Sequence, residues 1–234
     1  MRFISTLYRM NDLQSRVSEL QSKLAAISDP HRAEQMEAYM KHKFQYYGIT
    51  SPSRKQAFKT IDWPKDLEPN THFKNIINEM WQHPKREMQY CAMTLIEKVI
   101  KKLSTEDLPW LESLILQKSW WDTVDFIAPS AVGYIFKQAS PEKSRYLEKW
   151  MNSDNMWLNR SSIIFQLKYG KETDEDILSA AILAHDNSTE FFVRKAQGWS
   201  LRQYSKTNPQ FVRQFIEANP QLSGLTKREA MKYV

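Results

Sequence analysis

The placement of proline constrains this chain more than any other feature. Five prolines follow directly on a residue that can close a helix N-terminus: Asp29-Pro30, Ser51-Pro52, His83-Pro84, Ser140-Pro141 and Asn208-Pro209, with His83 the weakest cap of the five. Proline fits the first helical position because its missing N–H has no intrahelical partner there and its φ is already helical. Asn70, Ser104 with Asp107 three residues on, Thr173, Ser188 and Thr226 mark further starts by side-chain capping. Between these marks the apolar residues recur at helical spacing, as in Met36, Tyr39, Met40 and Phe44, or Phe73, Ile76, Ile77 and Met80, and no stretch alternates with period two. Ile163, Ile164 and Leu167 continue the pattern, as do Phe211, Phe215 and Ile216. Five glycines in 234 residues are too few for the turns of a large sheet protein. The reading is all-α, with about twelve helices on short connections.

Helix pairs on short turns, repeated along a chain, suggest an α-solenoid. Residues 155–169 resemble residues 190–204: Arg160 is followed eight positions later by Lys168, and Arg194 eight positions later by Arg202. Stepping outward gives Arg54, Gln89, Asp125, Arg160 and Arg194, at intervals of 35, 36, 35 and 34. Charged residues are common near helix starts, so coincidence competes, but five hits near one period favour a repeat. The expected fold is a right-handed α-solenoid of about six HEAT-like antiparallel helix pairs with a concave basic face. It is read as a single domain over residues 1–234, with residues 1–13 as an N-terminal extension.

Several function classes drop out. One cysteine, Cys91, allows no intrachain disulfide and no cysteine zinc site, and its apolar surroundings read as a packed thiol. His31, His42, His72, His83 and His185 lack ligand spacing, and no phosphate-binding glycine motif occurs, so neither metal nor cofactor is expected. No apolar stretch is long enough for a membrane span, and residues 1–29 lack the apolar core of a signal peptide; the expected location is the bacterial cytosol or nucleoid. The formal charge of +6 suits a polyanion, though many soluble proteins are as basic.

A row of helix beginnings suits a phosphate backbone, since amide N–H groups and positive dipole ends point outward there. Arg160 and Arg194, with Lys168, Lys195 and Arg202 on neighbouring turns, would form a basic track, Arg54 and Gln89 continuing the row. Ordinary solvated faces explain any one of these residues alone. Asp125 is the anomaly, because a carboxylate in a cationic row repels DNA. Asp122 reads as a helix cap, and Asp125, three residues on, stands where a capping-box acid would. Trp121, four residues before Asp125, shares its helix face, and Trp199 lies five residues after Arg194, whereas Trp63, Trp81, Trp110, Trp120 and Trp150 read as packing. A cationic base leaves its sugar without a general acid. What such a hydrolysis needs is a fixed carboxylate and aromatic faces against positive charge growing on the deoxyribose.

The strongest stretch, Lys118-Ser119-Trp120-Trp121-Asp122-Thr123-Val124-Asp125, resembles the AlkD-type DNA glycosylases, the HEAT-like repeat DNA alkylation repair proteins. So do Met36 to Lys41, Gly48-Ile49 with Pro52 and Arg54, Glu106 to Pro109, Ser153-Asp154-Asn155 with Trp157-Leu158 and Arg160, Phe165 to Tyr169, and Glu190-Phe191-Phe192 with Gly198-Trp199, Leu201 and Arg202. The resemblance runs from about Pro30 to Val234. It implies Asp125 as the catalytic aspartate, Trp121 and Trp199 as sugar-facing tryptophans, Arg160 as the backbone-contacting arginine and Tyr39 as a tyrosine near the DNA. It also implies a monomeric, monofunctional hydrolase that releases 3-methyladenine and 7-methylguanine from duplex DNA without extruding the base into a pocket. A non-catalytic HEAT-like solenoid that binds DNA or protein is the alternative.

Overall fold

The structure, a computed structural model, describes the backbone of residues 2–138 and 141–234, with side chains from Asp12 onward. The regular structure among the described residues is helical, with one isolated bridge between Gln45 and Lys85, and no strand occurs among them. They gather into two compact units, residues 1–102 and 103–234.

The first unit holds α1 (Arg2–Ala26), α2 (Pro30–Tyr39), α3 (Ser51–Lys59), α4 (Thr71–Gln82) and α5 (Arg86–Val99). The segment expected as an extension is the opening half of α1, and Leu13 already belongs to the buried stripe that continues through Val17, Leu20 and Leu24. The three residues between α4 and α5 fold them into an antiparallel hairpin, which buries Phe73, Ile76, Ile77 and Met80 against Met88, Leu95 and Ile96. Tyr39 departs from its predicted stripe and stands 72% exposed at the end of α2. The loop before α3 is pinned by Glu87, a fully buried acid that accepts the amides of Tyr47, Gly48 and Ile49 at 3.0–3.1 Å. Gly48 there has φ +83°, and a Cβ on it would lie 2.0 Å from the Asp29 carbonyl oxygen, so no other residue fits.

The second unit holds α6 (Leu108–Leu116), α7 (Trp121–Phe126), a π-helical turn (Ile127–Val132), α8 (Gly133–Lys137), α9 (Pro141–Met151), α10 (Met156–Ile164), α11 (Glu175–Leu183), α12 (Phe191–Ser205), α13 (Pro209–Ala218) and α14 (Gly224–Ala230). α12 is its central helix, packed on α10, α13 and α14. Gly198 lets α14 close on α12, where a Cβ would meet the Thr226 carbonyl oxygen at 2.7 Å.

Asp29, Asn70 and Asn208 cap their helices as predicted, and Ser104 with Asp107 forms a complete capping box, though around a short 3₁₀ turn that leads into α6. Ser140 lies outside the described residues. The other predicted starts shift by one to three residues, because a neighbouring side chain reaches the free amide first: Thr50 caps α3, Asp174 caps α11 and Ser223 caps α14, while α12 begins after Glu190 without a side-chain cap. His83-Pro84 does not start α5. His83 ends α4, its Nδ1 accepts the amide of Lys85, and α5 begins at Arg86.

The repeat is visible in the hydrogen bonds. Gln89 sends its amide nitrogen to the carbonyls of Met80 and His83, nine and six residues back, at 3.1 and 2.8 Å. Asn159 does the same to Trp150 and Ser153, nine and six back, at 2.9 and 2.8 Å, and Arg194 donates to Ser188, again six back. Residues 89 and 159 thus hold one position, closing the C-terminal carbonyls of the preceding helix, and residue 194 falls at the same step 35 further on, bonded to the loop before its own helix. One residue further along, Lys55, Tyr90, Asp125, Arg160 and Lys195 stand at unbroken steps of 35. The row read from sequence, with intervals of 35, 36, 35 and 34, mixes these two positions, which look in different directions. Gln89 is accordingly not a DNA-facing residue: it is fully buried and spends its amide on three carbonyls.

Candidate active site

Asp125 sits on the last turn of α7, whose first residue is Trp121. Trp120, the residue before it, anchors the helix in an aromatic cluster, edge-on to Phe192 at 4.9 Å and 5.7 Å from Trp157. Asp122 lies inside the first turn rather than at the cap, where a carboxylate is favoured by the helix dipole. Pro129 stands four residues after Asp125. In a regular helix its ring would strike the Asp125 carbonyl and it offers no N–H to it. The chain answers by widening into the π-helical turn at Ile127–Val132, directly after the acid.

One repeat further on, Arg160 projects from α10 to the same point. Its Nε donates to Asp125 Oδ1 and its Nη2 to Oδ2, both at 2.8 Å, a two-bond fork. Its Nη1 donates to the carbonyl of Phe192. The pair is deep: the Arg160 side chain is 3% exposed and that of Asp125 18%. Burial pushes the Asp125 carboxyl above its ordinary range and Asp122 adds to this, against the opposing pull of the Arg160 guanidinium. A fork in which both oxygens accept from an ever-charged guanidinium requires the carboxylate form.

Trp199, on α12, completes the group, its ring centroid 5.8 Å from the Arg160 guanidinium carbon. Trp121 and Trp199 are both half-buried. Trp121 is placed on the Asp125 face by its four-residue spacing. Asp125, Arg160 and Trp199 therefore follow one another in direct contact, from three helices of one unit.

The cations predicted around this group are engaged rather than bare. Lys195 and Arg202 flank Trp199 on α12 at spacings of four and three, and both pair with Glu229 of α14, Lys195 at 2.6 Å. Those cations hold the Glu229 carboxyl below its ordinary range. Lys168 reaches Ser130 on the π-helical turn at 2.7 Å. Arg194 is turned to the Ser188 carbonyl. Arg160, expected from the resemblance as a backbone contact, turns its fork to the Asp125 carboxylate. Tyr39 and Arg54 belong to the first unit, where Arg54 lies 4.9 Å over the Tyr90 ring. Sequence reasoning missed Glu229, and missed the π-helical turn although Pro129 at the fourth position after Asp125 signals it.

The sequence model of the DNA alkylation repair enzyme family matches residues 20–234. The chain belongs to that family. The DNA alkylation repair enzyme match takes in every residue of the group around Asp125 and begins inside α1, at the buried Leu20. Among solved structures the chain is similar to a protein described as a predicted DNA alkylation repair enzyme from Enterococcus faecalis. The two share 34% identity with a TM-score of 0.78, over 88% of this chain and 96% of the other. No curated protein matches the chain. Among the described residues, no helix is long and apolar enough to cross a membrane, and no group of three or more metal-binding side chains comes together.

Proposed function

We propose that this repair enzyme is a monofunctional DNA glycosylase that hydrolyses the N-glycosidic bond of cationic alkylated purines, 3-methyladenine and 7-methylguanine, in duplex DNA. The observation that carries the reading is the Asp125 carboxylate, fixed by two 2.8 Å bonds from Arg160 beside the ring of Trp199. An alkylated purine already bears positive charge and departs without a proton. The barrier is then the positive charge that develops on the sugar as the bond breaks. A carboxylate locked before the reaction stabilises that charge with no reorganisation. The guanidinium fork occupies two of roughly four acceptor positions on the carboxylate, leaving the others for the attacking water. Indole faces at Trp199 and Trp121 supply cation–π attraction to the same charge.

The pairing also accounts for an acid on a DNA-facing row. Asp125 and Arg160 together are neutral, so the site holds a carboxylate close to the sugar without presenting net negative charge to the phosphates. Lys168, Lys195 and Arg202 are the cations for the flanking backbone, with Tyr39 and Arg54 as further contacts.

The test is Asp125→Asn. This change keeps size and shape and removes the charge. Release of 7-methylguanine from methylated duplex is expected to fall by about 10²–10³-fold, with duplex binding retained. Release at the wild-type rate ends the proposal.

A further inference from the structure

The stretch that carries Arg160 holds more than the Asp125 carboxylate. Past the end of α10, the same stretch also grips the backbone that follows the acid. The Tyr169 hydroxyl donates to the Gly133 carbonyl at 2.7 Å. Gly133 is the first residue after the π-helical turn, and its own amide still bonds five back, to Ala128, at π spacing. Lys168 makes a second tie, to Ser130 inside the turn. The two segments run so close that a Cβ on residue 133 would lie 2.5 Å from the Phe165 carbonyl oxygen.

The surroundings of Tyr169 keep this bond in place. Its ring stands edge-on to the buried Phe165 at 5.8 Å and lies 5.7 Å under the Lys137 ammonium, which also pairs with Glu172. Burial pushes the phenol well above its ordinary range and the Glu172 charge adds to this, so the hydroxyl keeps its proton and stays a donor. The bond is particular to this step of the repeat. Tyr204 holds the same position 35 residues later, yet its hydroxyl goes to Glu175 Oε1 at 2.6 Å, on the helix before its own. Among the described residues the π-helical turn occurs once, and Tyr169, not Tyr204, reaches back a full repeat to tie it.

Pro129 forbids a regular helix after Asp125, but it does not set where the widened turn ends. The bonds at Ser130 and Gly133 do. Arg160 and Tyr169 thus refer the carboxylate, and the backbone that carries it, to one neighbouring stretch.

We propose that Tyr169 is a positioning residue for Asp125: by tying the end of the π-helical turn to the stretch that carries Arg160, it holds the carboxylate where base release requires it. This rests on the glycosylase reading of Asp125.

The test is Tyr169→Phe on the full chain, which deletes the hydroxyl and keeps the ring on Phe165, so folding is retained. Three quantities are read: single-turnover release of 7-methylguanine at saturating protein, affinity for the same duplex, and hydrogen–deuterium exchange over residues 126–134. Release is expected to slow by about 10- to 100-fold, the scale of a misplacement on the order of 1 Å. Affinity should stay at wild type, and protection from exchange should fall over 126–134. Tyr204→Phe deletes a comparable bond from the same unit and should release base at the wild-type rate, which separates positioning from a general loss of stability. Release by Tyr169→Phe at the wild-type rate overturns the proposal, and so does equal slowing in both variants. Unchanged exchange over 126–134 overturns it too, since the turn would then not depend on the tie. A wild-type chain that releases no base refutes the glycosylase reading and this inference with it. An active chain indifferent to the Tyr169 hydroxyl refutes this inference alone.

Discussion

Replacing Arg160 by methionine separates the two things its guanidinium does for Asp125: it holds the carboxylate in place and keeps it charged. Methionine fills a similar volume and offers no donor. The variant loses two 2.8 Å bonds and the bond to the Phe192 carbonyl from a side chain only 3% exposed. Removing one partner of a buried ion pair costs about 3–5 kcal/mol. Here that range is an upper bound, because the carboxyl can take up a proton and escape the penalty. It is already a weaker acid than usual through burial, and the substitution deletes the one group that opposes that shift. In the variant the folded-state pKa therefore rises further above the unfolded value of about 3.9. A carboxyl with a raised folded pKa contributes stability that is fully present below the unfolded pKa and is lost as pH rises through the folded one. In the proposed mechanism catalysis runs the opposite way, because only the ionised carboxylate would stabilise the sugar cation. Arg160→Met should thus grow less stable and, from a low starting rate, more active as pH increases across the same window. At neutral pH base release should fall by on the order of 10²-fold. The assay is single-turnover release of 7-methylguanine against pH, paired with urea unfolding at each pH. A pH–rate profile that overlies the wild type would refute the reasoning, since it would mean that Arg160 does not govern the charge of Asp125.

Three further outcomes follow from the same geometry. Pro129→Ala restores an amide that can bond to the Asp125 carbonyl, so the π-helical turn should tighten towards a regular helix; stability should hold or rise by about 1 kcal/mol, while base release drops by on the order of tenfold or more because the carboxylate is displaced. Glu229→Gln removes the carboxylate shared by Lys195 and Arg202, and titration with unmodified duplex at low salt should show binding tightened a few-fold. Gln89→Leu abandons three helix-end carbonyls in the core of the first unit and should lower unfolding stability by about 2–4 kcal/mol, leaving the salt dependence of DNA binding at wild type.

What sequence alone revealed of this chain depended on how local each cause was. Helix type was legible because the causes are local: proline fits the start of a helix, and few glycines leave little turn chemistry for sheets. Asp29, Asn70 and Asn208 cap where sequence placed them, since each has no stronger competitor nearby. Thr173 and Thr226 lost their positions to Asp174 and Ser223, and His83 to the geometry of the turn after α4, choices made by which side chain reaches a free amide in three dimensions. The same limit shaped the site. A period near 35 is visible by counting, but counting cannot tell a residue that faces outward from its neighbour that faces the core, and a slip of one residue mixed Gln89 and Arg194 with Asp125 and Arg160.

The corrected register turns the anomaly of an acid among cations into a consequence of the repeat. Asp125 and Arg160 occupy the same position in adjacent repeats, 35 residues apart, and their side chains meet because helices stacked at that interval bring equivalent positions side by side. The neighbouring steps carry lysine at both ends, Lys55 and Lys195, with Tyr90 between Lys55 and the acid. A repeat protein that grips a polyanion needs cations at this position. One that also breaks a glycosidic bond needs a carboxylate at one step and its neutralising partner at the next. Shifting the pair along the chain tests this: Asp125→Arg with Arg160→Asp keeps the ion pair and the net charge but moves the acid by one repeat. Folding should survive within about 2 kcal/mol, well short of the loss expected from breaking a buried pair. Base release should vanish, because the carboxylate no longer follows Trp121 on α7. Activity in the swapped chain would show that the pair, and not the position of its acid, is what the reaction requires.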